Sequence, residues 1–126
     1  GLQHTLMGMT VIAEPADRFE AWLAEQRRPA AEPTGERNVR GREIFIDGCA
    51  RCHTVAGTAA VGAKGPDLTH VASRRALGAA AVANNPERLA QWVTNPHSIK
   101  RGVAMPASEL TPDELAALLA YLGTLR

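Results

Sequence analysis

Aromatic side chains are scarce: Phe19, Trp22, Phe45, Trp92 and Tyr121 are all that 126 residues hold. A chain of this length buries roughly two-thirds of its unfolded surface. Five rings are thin filling for that interior, a deficit that a bound apolar prosthetic group would make good. Long apolar runs are missing too. None approaches the roughly 18 residues a spanning helix needs, so the chain is expected to be soluble as given. Charge of one sign is also lacking. Fourteen Lys and Arg stand against thirteen Asp and Glu, for a net +1, and the two signs are interspersed. That leaves no basic face for nucleic acid or for an anionic membrane. The sequence has neither an initiator Met nor a signal peptide, which suggests a mature protein or an excised fragment. Only two cysteines occur, three residues apart. A disulfide between them would close a very tight loop and stabilise little, so their value is expected to be chemical.

Residues 9–13 (MTVIA) are short and partly β-branched and read as a strand. Pro15 then opens a helix with Phe19, Trp22, Leu23 and Gln26 on one face and Asp17, Glu20 and Glu25 away from it. That helix ends before Pro29, and residues 28–35 (RPAAEPTG) read as a linker. Charge changes there as well. Residues 1–35 carry three basic and five acidic side chains, whereas 36–126 carry eleven and eight. The boundary is placed near Gly35, dividing the chain into 1–35 and 36–126.

Beyond the boundary, Asn38 to Ile46 is a helix candidate leading into the cysteines, and the Gly-rich stretch from Thr54 to Lys64 is loop. Asn85-Pro86 predicts a second helix start, with Asn as N-cap, Pro at the first helical position and Leu89, Trp92 and Val93 on the apolar face. Pro96, Gly102 and Pro106 prevent Asn95 to Ser108 from forming one regular element. The last helix is the clearest. Thr111-Pro112-Asp113-Glu114 is a capping box, and Leu115, Leu118, Leu119, Leu122 and Leu125 recur at helical spacing. With no strand signal after residue 35 and no internal repeat, the expected fold class is all-α.

Cys49-Ala50-Arg51-Cys52-His53 is C-x-x-C-H, a haem-attachment sequence. Residues three apart on a helical turn share a face, so both sulfurs can reach neighbouring vinyl groups of one porphyrin. The adjacent imidazole then falls under the iron. Two other readings compete. A thioredoxin-like dithiol would want a βαβ setting, and the surroundings read as helical. A zinc site would need two further ligands from His4, His70 or His97, which lack paired ligand spacing. Motif and context together favour one covalent haem.

A six-coordinate iron needs a second ligand. Of Met7, Met9 and Met105, the last lies in Gly102-Val103-Ala104-Met105-Pro106, where Pro106 biases it toward extended backbone, suited to a strap across the far haem face. His97 and His70 are the competing ligands, and Met105 as an apolar gap-filler is the plain structural alternative.

With these features in hand, the domain resembles the class I cytochromes c. Gly41-x-x-x-Phe45 and Leu118-x-x-Tyr121-Leu122 are similar to that family's pair of crossing helices. The resemblance implies that the carbonyl of Pro66, in Gly65-Pro66-Asp67-Leu68, accepts a hydrogen bond from the His53 ring and orients it. It also implies a propionate-binding role for Arg74, against a plain surface role. For Trp92 it implies an indole N–H bond to a propionate, against an ordinary place in the core.

The whole chain further resembles the end of subunit II of haem–copper oxidases that carry a fused cytochrome c, the caa type. In that family a cupredoxin-type dinuclear copper (CuA) domain ends in C-x-x-x-H-x-x-M, followed by a strand and a helix with F-x-x-W-L. Here residues 1–7 (GLQHTLM) and Phe19-Glu20-Ala21-Trp22-Leu23 are similar. The resemblance implies that His4 and Met7 are copper ligands in the intact subunit, that residues 1–35 are a remnant of the copper domain, and that this chain alone binds no copper.

The function implied is one-electron transfer from an upstream soluble carrier, a cytochrome or an iron–sulfur protein, through haem c to CuA and the rest of the oxidase complex. The place implied is the periplasm or outer face of a bacterial cytoplasmic membrane. The domain itself would be a carrier with no catalytic residue, within an oxidoreductase complex. Alternatives are a free-standing soluble cytochrome c, which leaves residues 1–28 unexplained, a haem peroxidase or gas-binding domain with an open iron, and a colourless zinc module.

Overall fold

The computed structural model describes residue 4 and residues 7–126. It is mostly helical, with a small two-stranded sheet. Helix α1 is Ala16–Gln26, α2 Glu36–Gly48, α3 Pro86–Thr94, α4 Pro96–Ile99 and α5 Pro112–Leu122; strands β1 (Ala76–Leu77) and β2 (Val82–Ala83) form an antiparallel hairpin.

The helix starts follow local chemistry. Asn85 accepts a hydrogen bond from the Arg88 amide at 2.9 Å, and Pro86, lacking an N–H, occupies the first position of α3. At α5, the Thr111 hydroxyl accepts from the Glu114 amide while the Glu114 carboxylate accepts from the Thr111 amide at 3.0 Å. This satisfies donors that a helix start otherwise leaves bare. The Thr111 hydroxyl also donates to the Glu114 carboxylate at 2.9 Å, and the bond from the Thr111 amide together with this one holds the Glu114 carboxyl below the usual carboxylate range. Helix α2 starts at Glu36, two residues before the sequence-based estimate, and runs two residues past Ile46. Glu36 suits the positive end of the helix dipole, and the Val39 amide donates to the Gly35 carbonyl.

The core centres on the crossing of α2 and α5. Phe45, Leu118 and Tyr121 are fully buried there with Ile44, Ala117 and Leu122. The rings of Phe45 and Tyr121 meet edge to face, 5.7 Å between centroids, a favoured aromatic geometry. Gly41 makes the approach possible. A Cβ at this position would collide with the Ala117 carbonyl and lie 2.7 Å from the Tyr121 Cβ.

One expectation is corrected and one is refined. Residues 9–13 are not a strand. The Gly8 amide donates to the Ala79 carbonyl, but Val11 and Ile12 stay exposed. A strand needs a paired neighbour, and the local β-branched signal supplies none. The remainder is mostly helical, as the all-α class expects, with two short β features. The hairpin 76–83 and an isolated bridge between Thr54 and Val61 escape any pattern reading, because two-residue strands are too short to show alternation.

No helix among the described residues is long and apolar enough to cross a membrane. Helix α1 buries none of its residues, and Phe19 and Trp22 are 51% and 52% exposed.

Candidate haem-binding site

Helix α2 delivers the chain into a tight turn. The amides of Cys52 and His53 both donate to the Cys49 carbonyl at 3.0 Å, so the two thiols and the imidazole are carried on one turn. Both cysteines are free and half-buried. Burial pushes the Cys49 thiol up, with the Arg51 guanidinium pulling the other way, and the net direction is upward.

The following loop folds back on this turn and locks it. The Gly62 amide donates to the His53 carbonyl, the Gly65 amide to the Cys52 carbonyl at 2.7 Å and the Leu68 amide to the Thr54 carbonyl at 2.8 Å. The Thr54 hydroxyl adds a 2.8 Å bond to the Gly62 carbonyl. His53 is buried. Its Nδ1 lies 2.8 Å from the Pro66 carbonyl oxygen. A carbonyl only accepts, so Nδ1 is the donor and Nε2 is the ring nitrogen left for a metal. Gly65 lies flat against the ring, where a Cβ would come within 2.5 Å of His53 Cε1.

This donor set fits a covalently held haem: two unpaired thiols three residues apart, and an imidazole oriented by its Nδ1 bond to the Pro66 carbonyl. Among the described residues, no group of three or more His, Cys, Asp and Glu side chains is arranged to hold a metal ion.

The remaining sequence candidates are placed as follows. Met105 is half-buried in the irregular stretch between α4 and α5. Arg74 donates from Nη2 to the Asp67 carbonyl and lines a polar cleft of about 280 Å³ with Arg27, Arg28, Asp67, Thr69 and His70. Asp67 is raised by burial but lowered more by the Thr69 hydroxyl and amide, with Arg74 and His70 adding to the fall; the net direction is down. Trp92 is half-buried, its ring edge against Gly78, where a Cβ would lie 2.6 Å from Cη2. His70 donates from Nε2 to the Gln26 carbonyl at 3.1 Å, and His97 is exposed on α4. His4 is exposed, its carbonyl accepting from the Met7 amide at 3.3 Å. The other members of the expected copper motif, residues 1–3, 5 and 6, lie outside the described residues.

Sequence reasoning overlooked two organisers. Gly65 was read only as a neighbour of Pro66, although it seats the imidazole. Asn84 was given no role, yet its side-chain amide bonds the carbonyls of both Val71 and Arg74, at 2.8 and 2.9 Å. No local signal marks such a bridge.

Comparison with known proteins agrees with this geometry. The family model described as cytochrome c matches residues 39–126. The chain is 35% identical over 128 residues to cytochrome c oxidase subunit 2 of Alkalihalophilus pseudofirmus OF4, covering all of this chain and 36% of that protein. It is 31% identical over 133 residues to cytochrome c oxidase subunit 2 of Bacillus sp. PS3, covering all of this chain and 37% of that protein. It thus spans about a third of these relatives. Among solved structures it is similar to the c-type cytochrome SorU from Sinorhizobium meliloti, with a TM-score of 0.50 and 34% identity over 71% of this chain and 91% of that one. Helices crossing at Gly41, a C-x-x-C-H turn closed by its own loop and a match across residues 39–126 converge: the chain belongs to the cytochrome c family, with class I-like architecture and the covalent haem c that membership implies.

Proposed function

We propose that this chain is an electron-transfer haem c domain of a haem–copper oxidase subunit II. The observation that carries the reading is the His53 imidazole, bonded through Nδ1 to the Pro66 carbonyl and set beside two free thiols. Cys49 and Cys52 would hold the haem covalently, and His53 and Met105 would supply its two protein ligands. The bound group supplies one-electron exchange between ferrous and ferric iron. The protein's part is to keep both ligands in place, so that little moves between redox states. A thioether opposite an imidazole raises the potential, which suits an acceptor in a respiratory chain. Arg74 and Trp92 are assigned to the haem propionates.

The electron is taken from an upstream soluble cytochrome or iron–sulfur protein and passed to the dinuclear copper centre. Resemblance over the full chain to subunits 2 supports this acceptor. Residues 1–35 belong with the copper-binding part of the intact subunit, where His4 and Met7 ligate copper, while 36–126 form the haem domain. The complex faces the periplasm or the outer side of the membrane. Arg outnumbers Lys twelve to two and residues 36–126 carry only +3 before haem charges. Donor encounter is therefore weakly steered and only mildly sensitive to salt.

Acid–acetone extraction tests the attachment. Colour should stay with the polypeptide, and free haem in the solvent would contradict it.

A further inference from the structure

The tip of the β1–β2 hairpin has an unusual backbone. Gly78, Ala79 and Ala80 follow one another in the left-handed region, with φ of 63°, 60° and 63°. Glycine adopts this region freely, but each alanine there brings its Cβ too close to a neighbouring carbonyl. Such strain persists where the surroundings over-determine it, and this tip is gripped from two sides.

On the inner side, the Lys100 ammonium donates to the Gly78 carbonyl at 2.9 Å, and the edge of Trp92 packs against Gly78 where a side chain would otherwise stand. On the outer side, the Gly8 amide donates to the Ala79 carbonyl at 3.1 Å. Residue 8 comes so close that a Cβ on it would lie 2.7 Å from the Ala80 Cβ. The left-handed run turns the Ala79 carbonyl toward the arm, and the missing side chain of Gly8 lets the arm reach it. The arm is pinned again at its far end. There the Gln26 carbonyl accepts from His70, and the Ala30 amide donates to the Ala56 carbonyl at 2.9 Å. Between the two pins, α1 buries nothing.

We propose that the tip formed by residues 78–81 is the seat of the chain's N-terminal arm. Through this face, beside Trp92, the haem domain meets the stretch of polypeptide that carries His4 and Met7. The purpose rests on the electron-transfer reading above, and the geometry does not. A strained tip held by the arm on one side and by Trp92 on the other transmits displacement of the arm to the indole.

The test uses the haem-loaded 126-residue chain and three variants: Gly8→Ala, Ala80→Gly and the two combined. In the parent, the Gly8 amide should be protected from hydrogen exchange. Gly8→Ala should lose that protection and shift the Trp92 indole N–H resonance. Adding Ala80→Gly should restore both, because with the Ala80 Cβ removed the nearest remaining atoms lie 3.9 and 4.0 Å from the new methyl. Ala80→Gly alone should keep the protection. An unprotected Gly8 amide in the parent, or a Gly8→Ala variant that keeps full protection, would overturn the seat. A ruthenium complex coordinated at His4, with His97 replaced by Gln throughout, then reads the contact as a rate. Electron exchange with the haem should slow in Gly8→Ala and recover in the combined variant. Equal rates in all would overturn the coupling through this face. Failure of the electron-transfer reading itself would show differently, as a chain whose covalent iron cannot be cycled, with the exchange results intact.

Discussion

His53 shows how much one hydrogen bond can decide. With Nδ1 committed to the Pro66 carbonyl, the ring has one nitrogen left for a metal and one orientation in which to offer it. Met105 is the proposed second ligand. Its replacement by Ala should abolish the weak far-red sulfur-to-iron band of the oxidised protein and lower the potential, since the thioether favours ferrous iron. Survival of the band would reassign the ligand. At this scale, legibility followed covalent chemistry. Cys49, Cys52 and His53 stand out because the porphyrin dictates their spacing, and Pro66 emerged only by resemblance. Gly65 and Asn84 did not stand out, because what they do depends on where the fold brings a ring or two carbonyls. A left-handed alanine pair has no sequence signature at all, since Asn or Gly is the expected occupant.

Among the elements, those with chemistry at their ends were readable. Asn85-Pro86 and the Thr111–Glu114 box mark the starts of α3 and α5 because capping is local. Strands need partners distant in sequence, so the arm at 9–13 was misread and the hairpin 76–83 went unseen. The α2–α5 crossing is the element contact most exposed to a single substitution. Gly41→Ala drives a Cβ into the Ala117 carbonyl, and backbone in the middle of a helix has little room to yield. Overpacking of this kind costs roughly 1–3 kcal/mol, and the upper part of that range is expected. Urea denaturation of the haem-loaded protein measures it. An unchanged midpoint would mean that the two helices do not cross at this residue.

At the scale of the whole molecule, the proposed division near Gly35 rests on the linker composition and the charge shift. Sequence does not reveal that the N-terminal part leans on the rest through Gly8, Gln26 and Ala30, because backbone-to-backbone contacts carry no side-chain code. A chain cut to residues 36–126 should still fold, attach haem and cycle reversibly, with a lower Tm as those contacts are lost. Loss of Met ligation in that fragment would make the helix bearing Trp22 part of the haem domain. The central claim is that the iron is a relay with both axial positions filled by the protein, leaving no place for a substrate. Exposure of the reduced protein to carbon monoxide at neutral pH tests it most directly. The account predicts an unchanged spectrum, and rapid carbon monoxide binding in the native fold would contradict it.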